Sequence, residues 1–339
     1  MKLYDIRYYQ PEDRPRLVQF LDKYWRKNHI VATSEIVFDF QHKYEDRYTF
    51  VVAVNKDTKE FDAVYGYILT NKYDETHQIP NVAWGAIWKV RDDVHNAEID
   101  SLGLGLLRFI LKHEDIVTFA SSGISSKHKE IASGLGFLMG EMTHYYIADI
   151  SREAYVIAEN PIKPYFAPSD VRLAWIDWKD SIELSNTLNP FKNYNYLVHR
   201  YGNHPVYTYR LLGLYVIGQL KLLMVVRKQR VGNNCCLRIV DMIGSEMGLY
   251  NIGLEMQRVL VNENAEYIDC WNYGIDKNIF DSLGFEVVSG ETIIPDYFAP
   301  FERKNIRIEI DSLEQELPMV IFKGDGDQDR PNSEIRANW

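Results

Sequence analysis

Between Val82 and Val90, apolar side chains recur at every second position: Trp84, Ala86, Trp88 and Val90. That period is a strand's, and it places the four on one face. Tyr48–Asn55 and Val64–Thr70 flank the turn residues Lys56-Asp57-Thr58-Lys59 and read as a hairpin. Lys2–Tyr9 is an earlier strand. Gln10-Pro11-Glu12-Asp13 then opens a helix, with proline and acids in its first turn. Leu17, Phe20, Leu21 and Tyr24 share its apolar face, and it ends near the basic pair Arg26-Lys27. Ser34-Glu35 opens a second, short helix through about Gln41. After Val90, Gly103-Leu104-Gly105 sits at the start of a helix running to about Lys112. Ile116–Ser121 is a strand. Ser126–Gly134 is a short helix closed by Leu135-Gly136-Phe137, with a glycine as its cap. One or two strands then reach Ile150.

Residues 151–170, with Pro161, Pro164 and Pro168, read as a connector, and the pattern restarts beyond it. Val171–Trp175 is a strand, Trp178–Asn186 a helix, and Asn189–Tyr201 is helical after Pro190. Tyr207–Val216, Lys221–Arg227, Cys235–Ile243 and Ala265–Trp271 are strands. Gly248–Asn262 is a helix, and the short helix Lys277–Ser282 runs into Leu283-Gly284-Phe285. Strand, polar turn with Gly-Ile (Gly123-Ile124, Gly274-Ile275), short helix and Leu-Gly-Phe thus occur twice in one order. The expected units are 1–150, 151–322 and a polar tail, 323–339. In that tail Asp325, Asp327 and Asp329 imitate the first ligands of a calcium loop. Arg330 stands where that loop requires glycine and no glutamate closes it, so calcium is excluded.

Bulk properties change this picture little. The 339 residues suit two domains of about 150 each. A net charge of −10 leaves no large basic footprint, which argues against nucleic acid as a main partner. Cys235, Cys236 and Cys270 form no C-x-x-C, so neither a disulfide framework nor a metal site is expected, and a reducing, cytoplasmic setting fits. No secretory segment opens the chain, and no apolar run approaches the about 20 residues of a membrane span, so no membrane partner is expected. A homodimer is compatible with these properties. Twenty-three tyrosines and seven tryptophans make aromatic pockets easy to build.

Two glycines at a helix start let the backbone approach a bulky group, and free N–H groups there favour an anion. Gly103-Leu104-Gly105 is therefore a candidate phosphate cradle. In this element order, over Lys2–Ile150, the chain resembles the GCN5-related N-acetyltransferase (GNAT) superfamily. The family's motif Arg/Gln-x-x-Gly-x-Gly/Ala reads here Asp100-Ser101-Leu102-Gly103-Leu104-Gly105: both glycines match and Asp100 departs. Leu135-Gly136-Phe137 matches the family's Gly-Phe ending. The resemblance implies an α+β fold of two tandem GNAT-like domains, each a mixed, mostly antiparallel sheet flanked by helices. It also implies acetyl-CoA or another acyl-CoA as co-substrate. The pyrophosphate would sit on the N–H groups of Ser101, Leu102, Gly103, Leu104 and Gly105, with the pantetheine along Ile87, Trp88, Lys89 and Val90. The tyrosine that many members use as acid for the leaving thiolate is absent, its matching positions being Ala132 and Phe280. The second half has no Gly-x-Gly after Cys235–Ile243, so one donor site is expected, in the first half.

His29 lies in the loop between the first two helices, where the family builds its acceptor pocket, and is the candidate base. Asp39, Gln41, Trp84, Asn195, His199 and Arg200 are candidate acceptor contacts, because pockets for hydroxylated ligands combine aromatic faces with such donors. His128 either neighbours the adenosine end of CoA or faces solvent. Cys270, on a strand expected to be buried, is a poor nucleophile. The expected activity is acyl-CoA-dependent N-acylation of a small amine. The favoured acceptor is an amino sugar or nucleotide-linked amino sugar of surface-polysaccharide biosynthesis. A FemABX-like aminoacyl transferase and a non-catalytic GNAT-fold binding protein are the alternatives.

Overall fold

The computed structural model describes residues 3–245, 250–313 and 318–334. The expected helix start at Gly248 and residues 335–339 of the tail lie outside the described residues. Two sheets dominate. The first orders its strands Tyr4–Tyr8, Phe50–Asn55, Phe61–Leu69, Val82–Val90, Thr118–Ser122, Glu309–Ser312, Leu138–Glu141. The second orders Val171–Ile176, Tyr209–Val216, Gln219–Val231, Asn234–Gly244, Ala265–Tyr273, Thr143–Ala148, Glu286–Val287. In each sheet every neighbouring pair is antiparallel except the fourth and fifth strands, which run parallel. A parallel pair needs a crossover, and a helix supplies it each time: Leu102–His113 and Gly253–Glu263.

The sixth strand of each sheet comes from the opposite part of the chain. Glu309–Ser312 inserts between Thr118–Ser122 and Leu138–Glu141 of the first sheet. Thr143–Ala148 pairs with Ala265–Tyr273 of the second. The stretch expected to run through to Ile150 therefore breaks at Met142, and its two pieces join different sheets. Both Leu-Gly-Phe segments end their helices alike. Gly136 has φ +83° and Gly284 φ +98°, the left-handed conformation that glycine adopts without a Cβ clash. Phe137 N–H donates to Ala132 O at 3.1 Å and Phe285 N–H to Phe280 O at 3.0 Å, closing the last turn.

The helix expected over Trp178–Asn186 does not form, those residues being turn and irregular backbone. Trp84 and Trp88 do not share a face. Tyr65 pairs with Trp88 and Gly66 with Ile87, but Tyr67 pairs with Gly85, leaving Ala86 as an extra residue. Such a bulge reverses the alternation beyond it. Trp84, 1% exposed, packs with Tyr73, Tyr196 and Trp271 between the two sheets. Trp88 packs on the opposite face with Leu102, Leu106 and Phe119. The second sheet repeats the bulge at Val240, between the pairs Val226–Ile239 and Val225–Asp241.

Residues 323–330, polar in sequence, are largely buried in the structure. Lys323, Asp325, Asp327 and Asp329 are all buried. Buried charges require partners, and distant residues supply them. Lys192 Nζ lies 2.8 Å from Asp241 and 2.7 Å from Asp325. Arg227 and the Tyr209 hydroxyl bind Asp329 at 3.1 and 2.7 Å. Arg200 donates to the carbonyls of Gly324 and Gly326. No described helix is long and apolar enough to cross a membrane.

Candidate active site at the parting of two parallel strands

Parallel pairing in the first sheet runs from Val82–Thr118 to Gly85–Ser121 and stops where the Ala86 bulge begins. Beyond that point the two strands part, above the start of the helix Leu102–His113. That helix follows a single 3-10 turn, Ile99–Ser101. Gly103 is buried beneath the strand: a Cβ there would stand 3.1 Å from both Trp88 Nε1 and Val90 Cγ2. The glycine thus permits the close approach of helix and strand at this point.

Trp88 stacks on Tyr65, with ring centroids 5.0 Å apart and planes 8° apart. Its other neighbour is His128, met edge-on at 4.9 Å. His128 Nε2 lies 2.7 Å from Asp311 Oδ2, and Asp311 is wholly buried. Gly85 leaves room for the Tyr65 hydroxyl to approach Ser121, since a Cβ at Gly85 would sit 3.1 Å from one and 2.7 Å from the other. Burial, then the nearby Asp311, pushes the Tyr65 phenol well above its ordinary value, so it stays protonated. Trp88 Nε1 and Asp311 Oδ1 are buried with no protein partner. A donor and an acceptor left over at one place are what a polar ligand or water would satisfy.

No known family profile matches the chain, and no curated protein matches it in sequence. Its structure is similar to a GCN5-related N-acetyltransferase from Anabaena variabilis, with TM-score 0.52 and 10% identity over 91% of this chain and 72% of that one. It is also similar to a conserved Enterococcus faecalis protein described as a probable N-acyltransferase, with TM-score 0.53 and 9% identity over 90% and 71%. The chain has the GNAT fold.

The residues expected to hold the donor converge only in part. Trp88, Val90 and Gly103 meet at the parting. Ile87 points to the other face, among Phe50, Val52 and Val64. Lys89 pairs with Asp92. Leu102 is core, Leu104 and Gly105 are half-buried, and Ser101 and Asp100 are exposed. Ser101 donates its hydroxyl to Glu98 O at 3.1 Å.

The residues expected to hold the acceptor gather elsewhere. His29 caps the helix Ile30–Thr33, its Nδ1 accepting from Val31 N–H at 3.3 Å. Burial pushes its imidazole down to about 3, so it is neutral and only weakly basic. Asp39 accepts the Tyr48 hydroxyl, and Asn195 donates to Asp74. Gln41 is buried. Arg200 faces Tyr73 and the buried C-terminal segment. His199 lines an open pocket of about 450 Å³ with Phe40, Tyr44, Lys72, Tyr73 and Glu75. That pocket opens beyond Leu69, at the end of the sheet away from the parting. Among the described residues, no group of three or more His, Cys, Asp or Glu side chains is placed to hold a metal ion.

Sequence reasoning missed Tyr65, Asp311 and the true setting of His128. A signal for Asp311 existed: Ile306, Ile308 and Ile310 alternate with polar residues and mark a half-buried strand.

Proposed function

We propose that the protein is an acyl-CoA-dependent N-acyltransferase, with acetyl-CoA as donor and a small amine as acceptor. An amino sugar or nucleotide-linked amino sugar of surface-polysaccharide biosynthesis is the favoured acceptor class. The observation that carries this reading is what fills the equivalent parting of the second sheet. There the chain's own backbone lies between the separating strands. Ile321 and Phe322 pair with Tyr273 and Asn272, and Gly324 N–H donates to the carbonyl of the bulge residue, Val240, at 2.7 Å. This geometry accepts an extended, amide-bearing arm. The pantetheine of CoA is such an arm, and Ala86 in the first sheet corresponds to Val240.

The arm would run along Ala86–Val90 and deliver its pyrophosphate toward the N–H groups at the start of Leu102–His113, where the helix dipole favours an anion. The amine nitrogen would attack the thioester carbonyl directly. The carbon–nitrogen bond forms and the carbon–sulfur bond breaks, with no acyl-enzyme. Strand N–H groups at the parting would polarise the carbonyl.

Titrating acetyl-CoA while following the thermal midpoint tests this. Ligand at a hundred times its dissociation constant adds about 2.7 kcal/mol of stability. Gly105→Glu should abolish the shift while leaving the unliganded midpoint unchanged. Absence of any shift at millimolar acetyl-CoA would reject the reading.

A further inference from the structure

We propose that His128 is the acid that protonates the departing thiolate, and that Asp311 is the residue that positions it. This rests on the acyltransferase reading above. The matching positions of the two sheets carry the argument. Their registers make Trp88 equivalent to Met242, Tyr65 to Met224, Ser121 to Cys270 and Asp311 to Tyr145. In the second sheet all four, two methionines, a cysteine and a tyrosine, belong to one core cluster, and Tyr145 stacks on Phe280 at 3.9 Å. Packing is therefore met there with no carboxylate or imidazole among the four.

The first sheet buries a carboxylate at the corresponding point, with an imidazole on it and one oxygen unpartnered. Burying such groups is costly where only packing is required. His128 is in the first turn of Ser126–Gly134, its N–H held by the Ser125 hydroxyl at 3.3 Å. Ala132 stands one turn later on the same helix face and has no proton to give. Asp311 arrives on the exchanged strand, so the pair exists only because the two ends of the chain meet here.

Asp311 takes Nε2, which leaves Nδ1 to exchange protons. As the carbon–sulfur bond breaks, its electron pair moves to sulfur and sulfur takes the proton from Nδ1. The proton lost by the new amide nitrogen goes to water, and water returns one to Nδ1. The other groups facing His128 are Trp88 and, through Asp311, the protonated Tyr65. Lys129 and Glu309 pair with each other at the surface beside it.

The test uses the full-length protein, acetyl-CoA, and hydroxylamine as a small amine that needs no acceptor pocket. Acetyl-CoA affinity is measured by calorimetry and thiol release over pH 5.5–9. For His128→Gln the expected result is affinity within about threefold and release slowed by about 10²–10⁴-fold, with the alkaline fall of the rate profile gone. Asp311→Asn should retain that alkaline limb and lose at least about tenfold in rate. A merely structural role would lower rates without removing the limb. His128→Gln releasing thiol within threefold of the unaltered protein, with the same limb, overturns the proposal. So does an unaltered protein that binds acetyl-CoA yet releases no thiol above the protein-free rate. No acetyl-CoA binding at all would instead reject the acyltransferase reading, and this proposal with it.

Discussion

The two sheets part at the same point in the same topology, and they differ in what occupies the gap. In the second sheet it is filled from within: residues 321–324 lie against Val240, Asn272 and Tyr273. The helix start beside it is covered too, since Phe166 of the connector sits where Gly253 has no Cβ. Among the described residues no backbone segment takes that place in the first sheet, and Asp100 and Ser101 at the helix start are exposed. On the function we propose, one architecture thus serves once as scaffold and once as site. The difference lies in a C-terminal segment that fills one gap and then passes beside the other, where Gly326 approaches Trp84 and Gln328 donates to Ser122 O at 2.9 Å.

The largest test of this contrast is to loosen the filler. Lys192 is shared by Asp241 and Asp325, and all three are buried. Lys192→Met leaves two facing carboxylates without a cation, which costs about 3–5 kcal/mol. Urea unfolding should show the loss in midpoint. A nearly neutral Lys192→Met would mean that the segment is not anchored there. Gly324→Ala should be similarly severe, because its Cβ would stand 2.7 Å from the Val240 carbonyl, a backbone atom that cannot turn away.

The bulge at Ala86 gives the next test. Trp84 belongs to the core between the sheets, and Trp88 to the half-buried mouth of the parting. Trp84→Ala should cost about 3–5 kcal/mol. Trp88→Ala should cost no more than roughly half of that. Because Trp88 Nε1 is an unpartnered donor at the parting, removing the indole should also weaken acetyl-CoA binding. Equal losses of stability from the two would restore the reading in which both share one face.

That same-face reading shows what the sequence makes legible. The period of two is visible in Trp84, Ala86, Trp88 and Val90, but an inserted residue is defined by its partner strand, and nothing local marks Ala86 as the one left over. The glycine caps were legible because Gly136 and Gly284 answer a local need. The helix after Val82–Val90 followed from element order, but which strands run parallel did not. The strand exchange did not, because Asp311 meets Ser121 across some 190 residues of chain. Asp325 and Asp329 read as solvated charges until Lys192 and Arg227 are seen beside them. The candidate site was half legible for the same reason: Gly103 and Trp88 are close in sequence, whereas Tyr65, His128 and Asp311 join them only through the sheet.

Buried histidines in both halves set the response to acid. Burial pushes His29 and His42, in the first half, and His204, in the second, down to about 3, against 6.5 when exposed. The folded chain keeps them neutral while the unfolded chain takes up protons below pH 6.5. Their contribution is therefore complete above pH 6.5 and is lost as pH falls toward 3. Each changes stability by about 1.4 kcal/mol per pH unit in that window. Asp241 acts in the opposite sense. Burial, opposed by Lys192 and reinforced by Asp325, pushes it up to about 6. The folded chain takes that proton first, a gain as pH falls from about 6 toward 3.8. Three losses against one gain predict a thermal midpoint that falls between pH 7 and 5, and falls more steeply in Asp241→Asn. A midpoint that holds or rises would show that the histidines are not held neutral.

The smallest effect concerns how the exchanged strand is held. Arg307 with Glu141, and Lys129 with Glu309, pin its surface side. These side chains are largely exposed, and ion pairs in water are screened and lose side-chain freedom on forming. Ile308 and Ile310 lie beneath them, both 1% exposed in the core shared by the two sheets. The strand also bonds to neighbours on both edges. If burial and the ladder hold it, Arg307→Ala leaves the urea midpoint unchanged within error at low and high salt, whereas Ile310→Ala costs about 2–5 kcal/mol. A salt-sensitive loss in Arg307→Ala would instead assign the closure of the first sheet, and with it the placement of Asp311 against His128, to surface charge.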